Sequence, residues 1–200
     1  VKEALMTPDE ALLALEEGNR RFAGGRPAGL RRDAERRREI ASGQRPFAAV
    51  LACSDSRVAP EIIFDQGLGD LFIVRVAGNV ADGVALESLE LGTDRLEVPL
   101  IVVLGHTRCG AITAALASES GGALGETLLR LLQPAVDAAR REETETDRII
   151  DRAARENVKL IVRDLLRSPG PLVPLHDRGI LRIVGALYDI DTGIVEWAEG

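Results

Sequence analysis

Three uninterrupted apolar runs, Phe47 to Ala52, Leu71 to Val76 and Leu100 to Leu104, decide what this chain can fold into. Each is short, continuous rather than alternating, and rich in Val, Ile and Leu or Ala. That is the pattern of a strand buried on both faces. Helical stretches separate them: Val84, Leu86, Leu89, Leu91 and Leu96 space a crossover helix between the second and third runs. Strand, helix and strand in this order predict a parallel sheet covered by helices.

The rest of the chain extends the scheme. Gly110 to Leu116 opens a helix after the third run, and Leu124 to Ala139 and Ile149 to Leu166 read as two longer helices with apolar residues three and four apart. Leu181 to Leu187 is a fourth strand, followed by a turn at Asp191-Thr192-Gly193 and a short strand at Ile194 to Trp197. The expectation is an α/β fold: a single domain over residues 1–200, with a mainly parallel central sheet of about four strands plus a short edge strand, flanked by helices. No repeat, low-complexity tract or linker interrupts it.

Residues 1–42 form a helical arm. Thr7-Pro8-Asp9-Glu10 is a helix start, with Thr7 the N-cap, Pro8 in the first turn and Glu10 able to reach back to the cap amide. The helix runs from about Asp9 to Phe22, and Gly24-Gly25-Arg26-Pro27 ends it. Leu12, Leu15 and Phe22 lack apolar partners within the segment, so the arm must pack on something else. The basic run Arg31 to Arg38 is interleaved with acids at helical spacing and reads as a solvated, ion-paired helix face.

Charge narrows the partners. With 25 Lys and Arg against 32 Asp and Glu, the net charge of −7 offers nucleic acid no basic footprint. No apolar run approaches the roughly 18 residues needed to span a bilayer. The opening residues Val1 to Met6 lack the apolar stretch of a secretory signal, and a cytoplasmic location is expected. Two cysteines, Cys53 and Cys109, are too few for a disulfide scaffold and too distant for a redox Cys-x-x-Cys.

Those cysteines fall where chemistry is expected. Ligands of open α/β sheets bind beyond the carboxyl ends of the strands. The first strand runs into Cys53-Ser54-Asp55-Ser56-Arg57, and the third runs through Gly105 into His106-Thr107-Arg108-Cys109-Gly110. A cysteine at a strand end is usually a small buried hydrophobe, but here both cysteines of the chain share one sheet edge with a histidine and an acid. Cys53, His106 and Cys109 are ligand types suited to Zn²⁺. Asp55 or a water completes the set, the difference between a closed and an open site. Asp55 and Arg57 are close enough in sequence to form a bidentate ion pair, which would draw the carboxylate off the metal. His176, the only other histidine, sits in a loop among Pro174, Asp177 and Gly179 and reads as surface.

This pair of motifs closely resembles the signature of the β-class carbonic anhydrases. The resemblance extends to Gly43-Gln44-Arg45-Pro46, to Asp70 through Arg75, to Gly78-Asn79 and to Gly185-Ala186-Leu187-Tyr188-Asp189, nearly the whole chain. It implies one Zn²⁺ per chain on Cys53, His106 and Cys109. It also implies an Asp55/Arg57 catalytic dyad that leaves the fourth position to water or hydroxide for attack on CO₂. In an inactive state Asp55 itself binds the metal. Gln44 matches a residue that orients CO₂ or bicarbonate from across a dimer interface. Phe72, Ala77 and Gly105 fall where the substrate pocket is lined, with Ala77 in place of a more usual Val. A branch inhibited by bicarbonate carries Trp three residues before the first cysteine; Val50 stands there, so the branch without that site is expected. The resemblance further implies a homodimer wrapped by the arm, with Leu12, Leu15 and Phe22 exposed to the second subunit, and a dimer of dimers as the larger assembly. Two thiolate ligands predict a metal-bound water less acidic than one on three histidines, and activity rising through mildly alkaline pH.

Carbonyl sulfide or carbon disulfide hydrolysis is the nearest rival, because the same attack serves those linear analogues of CO₂. A non-catalytic zinc or bicarbonate sensor is the rival of another class, and the intact Asp55 and Arg57 argue against it. No strand is followed by Gly-x-Gly-x-x-Gly or a Walker loop, which disfavours a nucleotide-binding domain.

Overall fold

The computed structural model describes residues 5–118 and 124–198. Residues 1–4, part of the opening segment read above for a leader, lie outside it. Five strands form one sheet in the order β2-β1-β3-β4-β5, with β1 at Ala48–Cys53, β2 at Leu71–Val76, β3 at Leu100–His106, β4 at Arg182–Tyr188 and β5 at Val195–Trp197. All pairings are parallel except β4 with β5. Each predicted strand is present, within a residue or two at its ends.

Eight α-helices are described: α1 Pro8–Ala23, α2 Ala34–Glu39, α3 Pro60–Ile63, α4 Gly83–Arg95, α5 Gly110–Ser118, α6 Glu126–Arg140, α7 Thr146–Leu165 and α8 Leu172–Asp177. The short α3 and α8 are not read from the sequence, because one turn of helix carries too little periodicity to register. No described helix is long and apolar enough to cross a membrane.

The apolar runs sort as expected at the centre of the sheet and differently at its edge. Every residue of β1 and β3 is buried, since a central parallel strand has helices on both faces. In β2 none is fully buried and Arg75 is exposed. The reading of β2 as buried on both faces is therefore corrected: it has only β1 beside it, and its other edge is open.

The arm is also corrected. Thr7 and Glu10 form the expected capping box, and Arg20 and Arg21 lie in the last turn of α1. Leu15 is fully buried, and Leu12 and Phe22 pack against the core of their own chain rather than standing exposed. Burying Leu15 contributes about 1.5–3 kcal/mol toward seating α1. Buried Asn19 adds polar registration, donating to the Ile63 and Gly193 carbonyls and accepting from Val195 N–H at 2.9 Å.

The basic run is the third correction. Its arginines pair with buried acids of the 65–70 loop instead of with their own helix alone. Arg31 and Arg36 meet Asp70 at 3.0 and 3.5 Å, Arg32 lies 3.6 Å from Asp65, and only Arg36 to Glu39 is an ion pair within α2. Asp65 also takes the Arg21 guanidinium at 2.7 Å and the Ala28 and Gly29 amides. Burial opposes its ionisation, but these donors hold its carboxyl below the usual range.

Candidate metal centre and active site

The chain leaves β1 for β2 on one side of the sheet and returns to β3 on the other side of β1. The strand order thus reverses between β1 and β3, the place where open α/β sheets leave a crevice at the strand carboxyl ends. Cys53 ends β1, His106 ends β3, and Cys109 directly precedes α5. Their ligand atoms all lie within 4.8 Å of one another, and all three residues are buried. The topology therefore brings the three predicted metal ligands together.

His106 is fully buried, and its Nδ1 lies 2.8 Å from the Thr107 carbonyl. A carbonyl only accepts, so Nδ1 carries the proton and Nε2 is left with a lone pair. That Nε2 is buried and without a hydrogen-bond partner, a costly arrangement that a metal ion resolves. The Cys53 thiol is held far below its usual range, to about 4, first by the bond it shares with Cys109 and then by the adjacent imidazole and the backbone at Asp55 and Gly78, against the cost of burial. Cys109 is pushed up by the bond it shares with Cys53, by burial and by the Cys53 charge, although the Ile112 and Ala111 amides at the start of α5 oppose this. A divalent cation replaces the proton shared by two such sulfurs and suits both as thiolates. The donor set, two sulfurs and an imidazole nitrogen without a partner, fits a borderline-soft metal with an open fourth position.

Beside this cluster, Arg57 grips Asp55 as a fork: Nε meets Oδ1 at 3.0 Å and Nη2 meets Oδ2 at 2.8 Å, while the Arg57 amide also donates to Oδ1. The Arg57 guanidinium, followed by its amide, holds the Asp55 carboxyl down at about 2 against the cost of burial. Asp55 Oδ2 stands 4.0 Å from His106 Nε2. The carboxylate thus faces the cluster while its lone pairs are committed to Arg57.

The other predicted site residues scatter in a single chain. Ala77 directly follows Val76, the register partner of Cys53, and so lies at the rim. Gly105 precedes His106, but a Cβ there would meet Val158 at 2.6 Å, so its side faces α7 and only its backbone borders the site. Phe72 pairs with Ala49 near the start of β2 and packs against Gly92 of α4. Gln44 precedes β1 and borders a hollow of about 530 Å³ with Arg36, Ile40, Phe47 and Asp70. The length of β1, about 20 Å for six residues, separates Gln44 from Cys53 of the same chain. His176 lies on α8, ahead of β4, also at the end of the sheet away from the cluster.

The structure adds four residues that the chemistry-bearing motifs do not contain. Arg75, the one charge in the β2 run, donates to the carbonyls of Cys53 and Asp55 at 3.0 and 2.6 Å. A charge within an apolar strand is the signal that would have found it. Gly78 N–H donates to Cys53 Sγ at 3.2 Å, Asn157 donates to the Gly78 carbonyl, and Asp151 accepts from the Arg108 amide. Asn157 and Asp151 stand out from helix α7 in no sequence pattern.

Comparison with known proteins agrees with this geometry. A family model described as carbonic anhydrase matches residues 48–195. Carbonic anhydrase 2 of Mycobacterium tuberculosis is 42% identical over 190 residues, covering 93% of this chain and 90% of the relative. A Coccomyxa β-carbonic anhydrase solved with acetazolamide superposes with a TM-score of 0.74 at 29% identity, covering 93% of this chain and 85% of that one. A structure of two tetrameric β-carbonic anhydrases from Sordaria macrospora gives 0.70 at 28% identity, covering 82% and 85%. With the ligand cluster at the strand switch and similarity over most of its length, this chain belongs to the β-carbonic anhydrase family of metalloenzymes.

Proposed function

We propose that the chain interconverts CO₂ with bicarbonate and a proton, using one Zn²⁺ held by Cys53, His106 and Cys109. The observation that carries this reading is the Asp55–Arg57 fork set 4.0 Å from the unpartnered His106 Nε2. Zn²⁺ at such a donor set acidifies a water and so supplies a hydroxide nucleophile near neutral pH.

The protein's own part follows from its geometry. Asp55, ionised and steered by Arg57, accepts a hydrogen bond from the nucleophile and fixes the direction of its lone pair. Arg57 keeps Asp55 from becoming a fourth ligand, since a carboxylate already engaged by two guanidinium N–H groups has less to give a metal. Arg75 ties the Cys53 and Asp55 carbonyls, so the ligand and the dyad move as one unit. Ala77 borders the substrate on the β2 side. Gln44 and Phe72 complete a site only if a second copy brings them. We therefore place the working enzyme as a homodimer joined across the open β2 edge, an apolar edge that requires covering. A dimer of dimers is the larger assembly proposed. Two metal-binding thiols fit a reducing compartment, and the cytoplasm is the proposed location.

The test is stopped-flow CO₂ hydration between about pH 6.5 and 9 on protein of measured zinc content. Turnover proportional to zinc and rising with pH supports the reading. Negligible turnover on CO₂ at full zinc loading sinks it, and turnover on carbonyl sulfide under those conditions transfers the function to that substrate.

A further inference from the structure

Helix α7 shares an apolar cluster with Cys53 and Cys109, and three more of its side chains reach residues next to the ligands. Val158 packs so closely on β3 and β4 that a Cβ at Gly105 or Gly185 would lie 2.6 Å from it. Gly105 is the residue before His106, so α7 bears directly on the strand that delivers the imidazole. About two helical turns toward its start, Asp151 Oδ1 accepts the Arg108 amide at 2.9 Å. Arg108 has a positive φ of 54°, a conformation that a non-glycine residue holds only under constraint. Arg108 is also the residue before Cys109, and its carbonyl receives Arg57 Nη2 at 3.3 Å. The third contact is Asn157, 2% exposed, whose Nδ2 donates to the Gly78 carbonyl at 2.8 Å. Gly78, with φ 67°, turns its own amide onto Cys53 Sγ at 3.2 Å.

We propose that Asp151 and Asn157 are positioning residues of the metal centre, Asp151 holding the His106–Cys109 turn through the Arg108 amide and Asn157 holding the Gly78 amide on the Cys53 sulfur. Each acts through the backbone of one intervening residue. Asp151 stabilises the left-handed Arg108 backbone that lets His106 and Cys109 face one point, and the peptide whose N–H it accepts carries the Thr107 carbonyl that receives His106 Nδ1 at 2.8 Å. Asn157 fixes the Gly78 carbonyl and so, through the left-handed Gly78 backbone, the N–H of the preceding peptide that withdraws charge from the sulfur. Rotation of α7 about its axis would disturb all three ligands together. The inference rests on the metal-centre reading of the site but not on CO₂ as the substrate.

The experiment loads the full chain with Co²⁺ in place of Zn²⁺, records the ligand-field and sulfur-to-cobalt bands, and times metal loss to excess chelator. Asp151 is half-buried, so Asp151→Ala is expected to fold; it loses cobalt about 10- to 100-fold faster than the parent. Asp151→Asn retains an acceptor for the Arg108 amide and restores a rate within about threefold of the parent. Asn157→Leu roughly keeps the volume, removes the donor and shifts the sulfur-to-cobalt band. Lys159→Ala, on the exposed side of α7, leaves both readouts unchanged. A merely structural role would lower the melting temperature without moving the spectrum and without rescue by Asn. Parent-like metal loss in Asp151→Ala overturns that assignment, and a parent-like band in Asn157→Leu overturns the other. A parent chain that holds cobalt but does not hydrate CO₂ as the zinc form refutes the proposed function and supports the positioning claim's independence from it; a parent that holds no cobalt overturns both.

Discussion

Arg57 Nη2 bridges Asp55 Oδ2 at 2.8 Å and the Arg108 carbonyl at 3.3 Å, so one guanidinium joins the turn after β1 to the turn after β3. The two halves of the metal centre are separate in sequence and are locked to each other by this side chain. Arg57→Ala releases Asp55 toward the cluster and is expected to reduce CO₂ hydration about 10- to 100-fold at unchanged zinc content. Arg57→Lys recovers little, because an ammonium offers a point charge where the site uses a planar fork. Parallel assays of rate and metal content decide it.

The pH dependence of this pair has a definite sign. Asp55 is depressed to about 2, from an ordinary value of 3.8, first by the Arg57 side chain. Its contribution to stability is therefore fully present above about pH 4 and is lost as pH falls through the folded value. Arg57 is half exposed, so the contribution is small. The difference in unfolding free energy between parent and Asp55→Asn should be flat from pH 5 to 8 and shrink on going toward pH 2. The same value means that a change in activity between pH 6.5 and 9 does not arise from Asp55 protonation.

Much of the site was legible because its residues end strands that the sequence marks as apolar runs. Cys53, Asp55, Arg57, His106 and Cys109 could be placed at one sheet edge from topology alone. What escaped depends on which way a helix is turned. Leu15 and Phe22 looked unpartnered because their partners belong to a sheet distant in sequence, and their burial was legible only after α1 had been docked. Arg31, Arg32 and Arg36 looked like a solvated face because their counter-charges, Asp65 and Asp70, lie far along the chain, in the loop before β2. Asp151 and Asn157 escaped for the same reason, since helical spacing identifies the apolar face of α7 but not what its polar side chains reach.

Asp65 anchors the arm, and removing it should loosen that arm without touching the metal. Its side chain is fully shielded and takes Arg21 and two backbone amides. Asp65→Ala leaves the Ala28 and Gly29 amides without their acceptor while the partly exposed Arg21 and Arg32 stay hydrated, with an expected loss of about 1–3 kcal/mol. Hydrogen exchange should rise across α1 and the 26–32 segment before it rises in β1 or β3, while the zinc content stays at that of the parent.

The distance between Gln44 and Cys53 along β1 makes a complementation test decisive for the dimer. Gln44→Ala keeps the metal ligands but lacks the glutamine, and Cys109→Ser lacks a ligand but keeps Gln44. Each alone should be impaired. Co-expressed, about half of the statistically mixed dimers are heterodimers, and each of these has one complete site, giving about a quarter of parent activity. If Gln44 served its own chain or none, the mixture would show only the average of the two variants.

Gly105 tests whether the packing of α7 sets the ligand geometry. A methyl group there is directed at Val158 Cγ2, 2.6 Å away, with the Ala154 carbonyl at 3.4 Å and Leu187 at 3.3 Å. Real Cβ contacts do not survive at 2.6 Å, so either α7 or β3 must move. Gly105→Ala should cost about 1–3 kcal/mol in unfolding free energy through overpacking. Because His106 is the next residue, the shift should also speed metal loss to chelator. Val158→Ala removes the clashing methyl groups, so the double variant Gly105→Ala/Val158→Ala should regain stability beyond the sum of its single changes, by about 0.5–3 kcal/mol of coupling. Recovery of metal retention in the same double variant would trace the defect to the helix–strand contact. Persistence of fast metal loss after stability returns would instead assign the effect to the Gly105 backbone itself.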